Sequence, residues 1–493
     1  MSRIAVIITK NEYVRNYLQT HAFESLSKNN EIHLFIKPHL EDYIDSHDIF
    51  ESISEFPDFK KDVTGQLLFD LSMIKYKSLS SSFRYRIKRK FPSTSWQLQY
   101  LKSHPLPSIK TRSETNIKTA KRWNKKVILF IKISKLVRLL TLYVLGKLLK
   151  VTYFALALPP FFKVSKFVII RYLASESYKL EFLLNFDAVL IPSSAYEPYV
   201  PTLLRFTNRN SIPTLLLIDN WDNLSSKSIL WEKPSLLACW GMQSIEHAVR
   251  IQGLARDQCI AIGTPRIDPY FKLRDHDLNS FFDFQYILFL GSSVPYDEAG
   301  FLLKLDDEIY RNPEIYGDIR ILYRPHPLRG GWEVIDRMKL KRTLIDPDLS
   351  NAISSGSIRW NRNAKLPPLK NYPALLQNCL FAVTGLTSMI FEASIFGKEC
   401  HALAFEEEDN ITNPKRMLEE YVHFWGIEKL PNLHLHNSHE LALEKIRNSV
   451  QNPTQIKRPD IDKQVSYFLH FDTNLYSERL CMLVEQRLIN IKN

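Results

Sequence analysis

Two stretches in the last third of the chain carry the reading of the fold. They are Ile321-Leu322-Tyr323-Arg324-Pro325-His326-Pro327 and Thr384-Gly385-Leu386-Thr387-Ser388-Met389-Ile390-Phe391-Glu392-Ala393, the latter running on to Gly397-Lys398. Each reads as an apolar strand that ends in a polar loop. The second then opens a helix, with Thr387 and Ser388 at its first turn. A helix N-terminus offers unpaired N–H groups and a positive dipole end, which together suit an anion. A His-Pro loop on a neighbouring strand would set an imidazole and Arg324 beside the same anion. Such a combination suits the departing phosphate of a nucleotide.

Outward from these motifs, apolar strands alternate with helical patterns. The second half predicts strands at Tyr286–Ser293, Ile319–Tyr323, near Ile345, Leu380–Thr384 and Cys400–Phe405. Helices are predicted at Tyr296–Tyr310, Pro373–Asn378 and Ser388–Phe396. The first half predicts strands at Ile4–Thr9, Ile32–Lys37, Phe186–Pro192, Pro213–Asp219, Leu236–Gly241 and Cys259–Gly263. Its helices fall at Tyr13–Leu26, Tyr199–Phe206 and Ser244–Gln252. Strands and helices alternating at this spacing imply βαβ units and parallel sheets. The expected class is α/β, with two Rossmann-like doubly wound domains facing a cleft and a basic amphipathic helical insertion in the N-terminal domain. The N-terminal domain is expected over 1–60 and 181–274, the insertion over 61–180, the C-terminal domain over 284–410 and a helical tail over 411–493. Polar Asp275–Asp283 reads as the linker. Ligands in such sheets bind at the C-terminal strand ends.

At 493 residues the chain exceeds one ordinary core, and its 45% hydrophobic content is that of a folded protein. Cys239, Cys259, Cys379, Cys400 and Cys481 are scattered without a CxxC pair and read as reduced core residues in the cytosol. No metal or cofactor site is expected. The apolar start Ile4–Ile8 is too short for a signal peptide, and no run reaches the ~18 apolar residues of a spanning helix.

The net charge of +12 is local. Arg84 to Arg171 holds 21 Lys and Arg against the single acidic Glu114, an excess of 20 that leaves the remainder at −8. Ile133, Val137, Leu140, Val144 and Leu148 share one helical face, with Lys132, Lys135, Arg138 and Lys150 on the opposite half and Lys147 at the flank. Leu142 and Leu149 also fall on the cationic side. Upstream lie Arg84, Arg86, Lys88, Arg89 and Lys90 with aromatic residues interleaved. The pattern suits a helix lying in an anionic membrane surface, each cation there contributing roughly 1 kcal/mol. A core helix with solvated lysines is the plainer alternative. Nucleic acid is disfavoured by the high apolar content and by the lack of a binding motif.

The His-Pro loop followed by a Thr-Ser helix start resembles the donor half of GT-B glycosyltransferases and their relatives. These include bacterial sialyl- and polysialyltransferases, CDP-glycerol glycerophosphotransferases and UDP-sugar 2-epimerases. A third stretch supports the resemblance: Asn220-Trp221-Asp222-Asn223, then Cys239-Trp240-Gly241, then Gly263-Thr264-Pro265-Arg266-Ile267-Asp268. It covers roughly 186–405. The resemblance implies an N-terminal acceptor domain, a C-terminal nucleotide-donor domain and a tail that packs back across the former. It also implies a transferase, inverting and metal-independent, that moves a sugar from a nucleotide-activated donor to a cell-surface polysaccharide or lipid-linked acceptor. Its expected place is peripheral, on the cytoplasmic face of the cell membrane. A CDP-glycerol-type glycerophosphotransferase fits the His-Pro loop equally well. From another class, a non-catalytic membrane scaffold of polysaccharide biosynthesis is the rival.

Transfer requires a cradle for the leaving phosphate, a base for the acceptor hydroxyl and exclusion of water. His326 is the first candidate for the cradle. Arg324 pairs either with phosphate or with a nearby carboxylate. Thr387 and Ser388 offer donors to phosphate or simply cap the helix. Glu392 stands where relatives hold the ribose, and is otherwise an ordinary glutamate near a helix start. Gly385 and Leu386 depart from those relatives, which carry an acidic residue and Ser there. Gly291, Ser292 and Ser293 follow the first strand of the second domain and would let phosphate approach closely. Asp219 and Asp222 are the candidate bases, or else Asx-turn residues. Asn220 and Trp221 are candidate acceptor contacts, Trp221 by stacking on a sugar ring. Thr9, Lys10 and Glu12 are weaker choices.

Overall fold

A computed structural model describes residues 1–44, 48–59, 62–90, 147–148, 150–194, 197, 199–227, 229–292, 296–326, 340–347, 349, 371–406, 413–453 and 457–492. It contains two wholly parallel sheets. The first has seven strands: β1 (Arg3–Ile8), β2 (Glu31–Ile36), β3 (Ser52–Glu55), β4 (Ala188–Ser193), β5 (Thr214–Ile218), β6 (Leu236–Cys239) and β7 (Cys259–Ala261), in the order β3-β2-β1-β4-β5-β6-β7. The second has six: β8 (Tyr286–Leu290), β9 (Arg320–Arg324), β10 (Thr343–Ile345), β11 (Ala382–Thr384), β12 (Cys400–Leu403) and β13 (Leu433–His436), in the order β10-β9-β8-β11-β12-β13. Both follow the doubly wound pattern, with a switch point between β1 and β4 and another between β8 and β11.

The strands are apolar on successive residues because helices cover both faces. Ile4, Val6 and Ile8 enter one core while Ala5 and Ile7 enter the other. In the second sheet Leu288 and Leu290 point to one side, Ile287 and Phe289 to the opposite side. A single apolar cluster joins the domains, with Trp221, Trp240 and Ile267 packed among Leu288, Leu322 and Phe391.

Several expectations differ from what is observed. The polar strand β3 carries Ser52-Ile53-Ser54-Glu55 and gave no apolar signal. β13 extends the second sheet well past the expected boundary at 410, because its paired partner β12 needs cover on its outer edge. The helix expected over Tyr13–Leu26 is broken: a helical turn at Asn11–Tyr13 widens into a π-helical turn at Val14–Leu18, and a separate short helix follows at Glu24–Ser27.

The described part of 61–180 belongs to the body of the protein. It forms α1 (Asp62–Lys75), α2 (Ser81–Lys90) and α3 (Pro159–Ala174). Leu68, Leu71, Phe83, Ile87, Phe162, Ile169 and Leu173 share one core with Ile229, Ile251 and Val422. Within the basic run on α2, Arg86 and Arg89 are half-buried against protein, while Arg84, Lys88 and Lys90 stay exposed. Arg86 Nη1 donates to the Ser226 carbonyl at 2.7 Å and Arg89 Nη1 to Tyr421 Oη at 3.1 Å. Lys90 pairs with buried Asp70, Lys88 lies 3.5 Å from Glu420, and Arg84 donates to the Lys77 carbonyl at 3.3 Å. Lys132, Lys135 and Arg138 lie outside the described residues. Lys147 is exposed and Lys150 half-buried.

The tail folds back on the N-terminal domain. Helix α4 (Arg458–Phe468) joins the interdomain cluster through Ile461, Val465 and Phe468, and helix α5 (Tyr476–Leu483) packs on the N-terminal domain, with Tyr476, Leu480 and Val484 inside the core under β1 and β2. Arg479 pairs with Asp268 and donates to the Ile262 carbonyl at 3.1 Å.

Candidate functional site

At the first switch point, β1 delivers Lys10 and the helical turns after it. Glu197, from the loop after β4, is 3% exposed and accepts from Ser193 Oγ at 2.7 Å, from Lys10 Nζ at 2.6 Å and from Tyr13. Burial alone would raise its carboxyl, but Lys10 and these hydrogen bonds pull it down to about 2. This network anchors the loop and keeps Glu197 ionised, so it is a poor proton acceptor.

The π-helical turn carries Arg15 and Asn16. Such single widened turns re-aim side chains and recur at functional sites. Asn16 Nδ2 donates to Asp219 Oδ1 at 2.8 Å, and Asn220 Nδ2 donates to Asp219 Oδ2 at 2.9 Å. Asp219 is buried at the end of β5. Burial raises its carboxyl above the usual range, offset only in part by the Asn16 hydrogen bond and Arg266. Arg15 Nε donates to Asn16 Oδ1 at 3.3 Å, and among the described residues its terminal nitrogens make no hydrogen bond. Burial and neighbouring Arg266 lower its pKa to about 10, so it stays charged at neutral pH.

Arg266 crosses from the N-terminal domain to the second. Its Nη2 donates to Ser388 Oγ at 3.2 Å and lies 3.5 Å from Glu392 Oε1. The guanidinium sits 5.5 Å from the Trp240 ring centroid, and its Nε is buried without a partner. Tyr270 Oη, from a short helix at Asp268–Leu273, is likewise buried without a partner. It feels Glu392, Arg266, Arg324 and Arg15. Glu392 is 3% exposed; burial raises its carboxyl, while Arg266, Arg15 and Arg324 oppose that shift. Three guanidinium groups and two buried carboxyls from both domains thus lie within electrostatic reach of one another.

The second switch point supplies the opposite wall. Gly291 follows β8, and a Cβ there would stand 2.5 Å from the His326 backbone nitrogen, so the Pro325-His326 loop packs directly on it. A Cβ on Gly385 would meet Ser292 and Tyr296 at 2.8 and 2.9 Å. Loop 385–388 therefore runs from the loop after β8 to Arg266. His326 is half-buried, and Ser292 is fully buried with its N–H donated to Glu298 at 3.1 Å. Arg324 pairs with buried Asp346 and stacks 4.8 Å from the Tyr372 ring centroid, which decides its partner as a carboxylate. Ser388 makes no side-chain cap; its hydroxyl faces Arg266 instead. Thr387 is half-buried on the same loop. Ser293 lies outside the described residues.

Two expected residues are placed elsewhere. Trp221 is buried among Phe391, His423, Phe424 and Phe468 in edge-to-face contacts at 4.8–6.4 Å, so its ring is core material and is not presented to a sugar. Asp222 lies 2.8 Å from Lys227; burial alone would raise its carboxyl, but Lys227 and His423 hold it below the usual range. Asn220 serves Asp219 and the turn, its N–H donating to Asn223 Oδ1 at 2.7 Å. Conversely, Arg15, Arg266 and Tyr270 were not singled out from sequence. Only the Thr264-Pro265-Arg266 motif hinted at one of them. Among the described residues no cluster of His, Cys, Asp and Glu has the geometry to hold a metal.

The chain matches no known family model and no curated protein. Among solved structures it is similar to the UDP co-structure of S. aureus MnaA, at 10% identity over 100% of this chain and 98% of that one, with a TM-score of 0.47. A putative UDP-N-acetylglucosamine 2-epimerase from Listeria monocytogenes gives 10% identity over 98% and 96%, with a TM-score of 0.48. The wall teichoic acid polymerase TagF gives 17% identity over 52% of this chain and 59% of its own, with a TM-score of 0.30. The fold assignment itself rests on strand order: two doubly wound parallel sheets, each with one switch point, make a GT-B-type α/β fold.

Proposed function

We propose that the protein is a transferase that moves a sugar from a nucleotide-activated donor to a glycan or lipid-linked acceptor at the inner face of the cell membrane, with inversion and without a metal. One observation carries this reading. Buried donors on Arg266 and Tyr270 have no protein partner, and both residues lie within electrostatic reach of Arg15. Donors left unpaired in a buried site cost free energy unless a ligand satisfies them. The oxygens of a nucleotide diphosphate match them in charge and number.

In this scheme Arg15, Arg266, Tyr270 and Ser388 hold the diphosphate, with His326 flanking it from the β9 loop. Asp219 takes the proton of the acceptor hydroxyl as that oxygen attacks the anomeric carbon. The bond from that carbon to the phosphate oxygen breaks, and its electron pair stays on the leaving nucleotide. The guanidinium groups stabilise that charge as it develops. The raised Asp219 carboxyl makes it a stronger base than an ordinary aspartate.

Thermal stabilisation by CMP, CDP, UDP and GDP tests the reading, because a ligand that binds only the folded state raises its stability by about 2.7 kcal/mol at a hundredfold excess over Kd. One nucleotide should shift the melting temperature, and Arg266→Gln and Ser388→Ala should remove the shift. Absence of a shift with all four would overturn it. Mass analysis of the product then separates sugar transfer from polyol-phosphate transfer.

A further inference from the structure

Helix α3 carries apolar residues on its inner side and on its outer side. Phe162, Ile169 and Leu173 turn inward and are buried. Phe161, Val164, Phe167 and Val168 turn outward and are 55%, 63%, 65% and 56% exposed. The arm that precedes it, Lys150–Leu156, meets it at 91°. At that elbow Leu158 stands out beside Phe161, and Val151 is exposed on the arm. Exposed apolar surface of this extent marks a contact with a partner or a membrane.

The charge of the segment selects between them. From Lys147 to Ser175 there is no Asp or Glu, and Lys150, Lys163, Lys166 and Arg171 are interspersed with the exposed apolar residues. Lysine is depleted from the cores of protein interfaces. At a bilayer surface its stem lies along the apolar region while its ammonium reaches the headgroups. Among the described residues no single helix is long and apolar enough to cross a membrane; the two arms of this elbow reach that length and apolarity only when taken together, across their 91° bend. We propose that the elbow 150–174 seats the protein on an anionic phospholipid bilayer. Phe161, Val164, Phe167 and Val168 enter the acyl boundary, and Lys163, Lys166 and Arg171 engage headgroup phosphates. This deepens the transferase reading by naming the surface that would present a lipid-linked acceptor, and it rests on that reading only for its purpose.

The experiment is flotation of the full chain with phosphatidylcholine vesicles, with and without phosphatidylglycerol. The wild type should float with the anionic vesicles alone, and less at high salt. Phe161→Ser with Phe167→Ser should weaken binding about tenfold or more while leaving the melting temperature unchanged, since both rings are exposed. Lys163→Gln with Lys166→Gln should weaken binding and flatten its salt dependence. No flotation of the wild type, or equal flotation of the serine variant, overturns the proposal. So does a dimer in solution that the serine variant abolishes, which would make a second copy the occupant. Nucleotide-induced stabilisation of the serine variant is the control: if it persists while flotation fails, only the membrane surface falls.

Discussion

Asp219 and Asp222 are three residues apart and electrostatically opposite. Asp219 is buried with two amide donors, and its carboxyl is raised; Asp222 is held down beside Lys227. Asp219→Asn should therefore cut kcat about 10²- to 10⁴-fold while nucleotide stabilisation survives. The kcat of the wild type should fall as pH drops through the raised Asp219 pKa. Asp222→Asn should keep turnover per folded molecule; a loss equal to that of Asp219→Asn would reverse the assignment. Tyr270 gives a second test at this scale. Its hydroxyl has no partner, so Tyr270→Phe should leave the melting temperature of the free protein unchanged or raised. The same change should weaken nucleotide binding by about 1.5–3 kcal/mol, the usual contribution of a hydrogen bond to a charged group. An unchanged affinity would remove Tyr270 from the cradle.

The elements set how close these residues stand. The loops after β8 and β9 touch backbone to backbone, and Gly291 permits it. In Gly291→Ala a methyl group would have to share space with the His326 N–H, so the His-Pro loop must move. Nucleotide stabilisation should fall by more than the stability of the free protein, as a thermal titration would read directly; an unaltered nucleotide response would separate His326 from the site. Strand and helix positions around both quoted motifs were legible because parallel strands buried on both faces are continuous apolar runs. β3 was illegible because it is a polar edge strand, and the π-helical turn at Val14–Leu18 because its sequence looks like any helix. The basic run on α2 was legible as charge, but its partners Ser226, Glu420 and Tyr421 lie far away in the chain.

Across the whole molecule, the tail packs back on the N-terminal domain, and two histidines are buried. A Cβ on Gly241 would stand 2.5 Å from the Phe468 carbonyl carbon, so Gly241→Ala should cost about 1–3 kcal/mol and make the segment after Phe468 easier to cleave. Burial lowers His423 to about 4 and His247 to about 3, so both are neutral in the folded protein at neutral pH. An unfolded histidine binds its proton near pH 6.5. The stability present above that value is therefore lost as pH falls from about 6.5 toward the folded values, by about 1.4 kcal/mol per pH unit for each proton. Denaturant midpoints measured between pH 8 and pH 4 should be flat at first and then fall, and His423→Gln should reduce the slope. The alternation of apolar strands and helices by itself determined two doubly wound domains, and the loops that end those strands marked their C-terminal edges. Those features are local, written in neighbouring residues through periodicity. Tertiary structure alone brought Arg15, Arg266 and Tyr270 around Glu392, turned Trp221 inward and gave Asp219 and Asp222 opposite characters. Burial and charge pairing are sums over neighbours far apart in the chain, and only the folded packing of both domains supplies those neighbours.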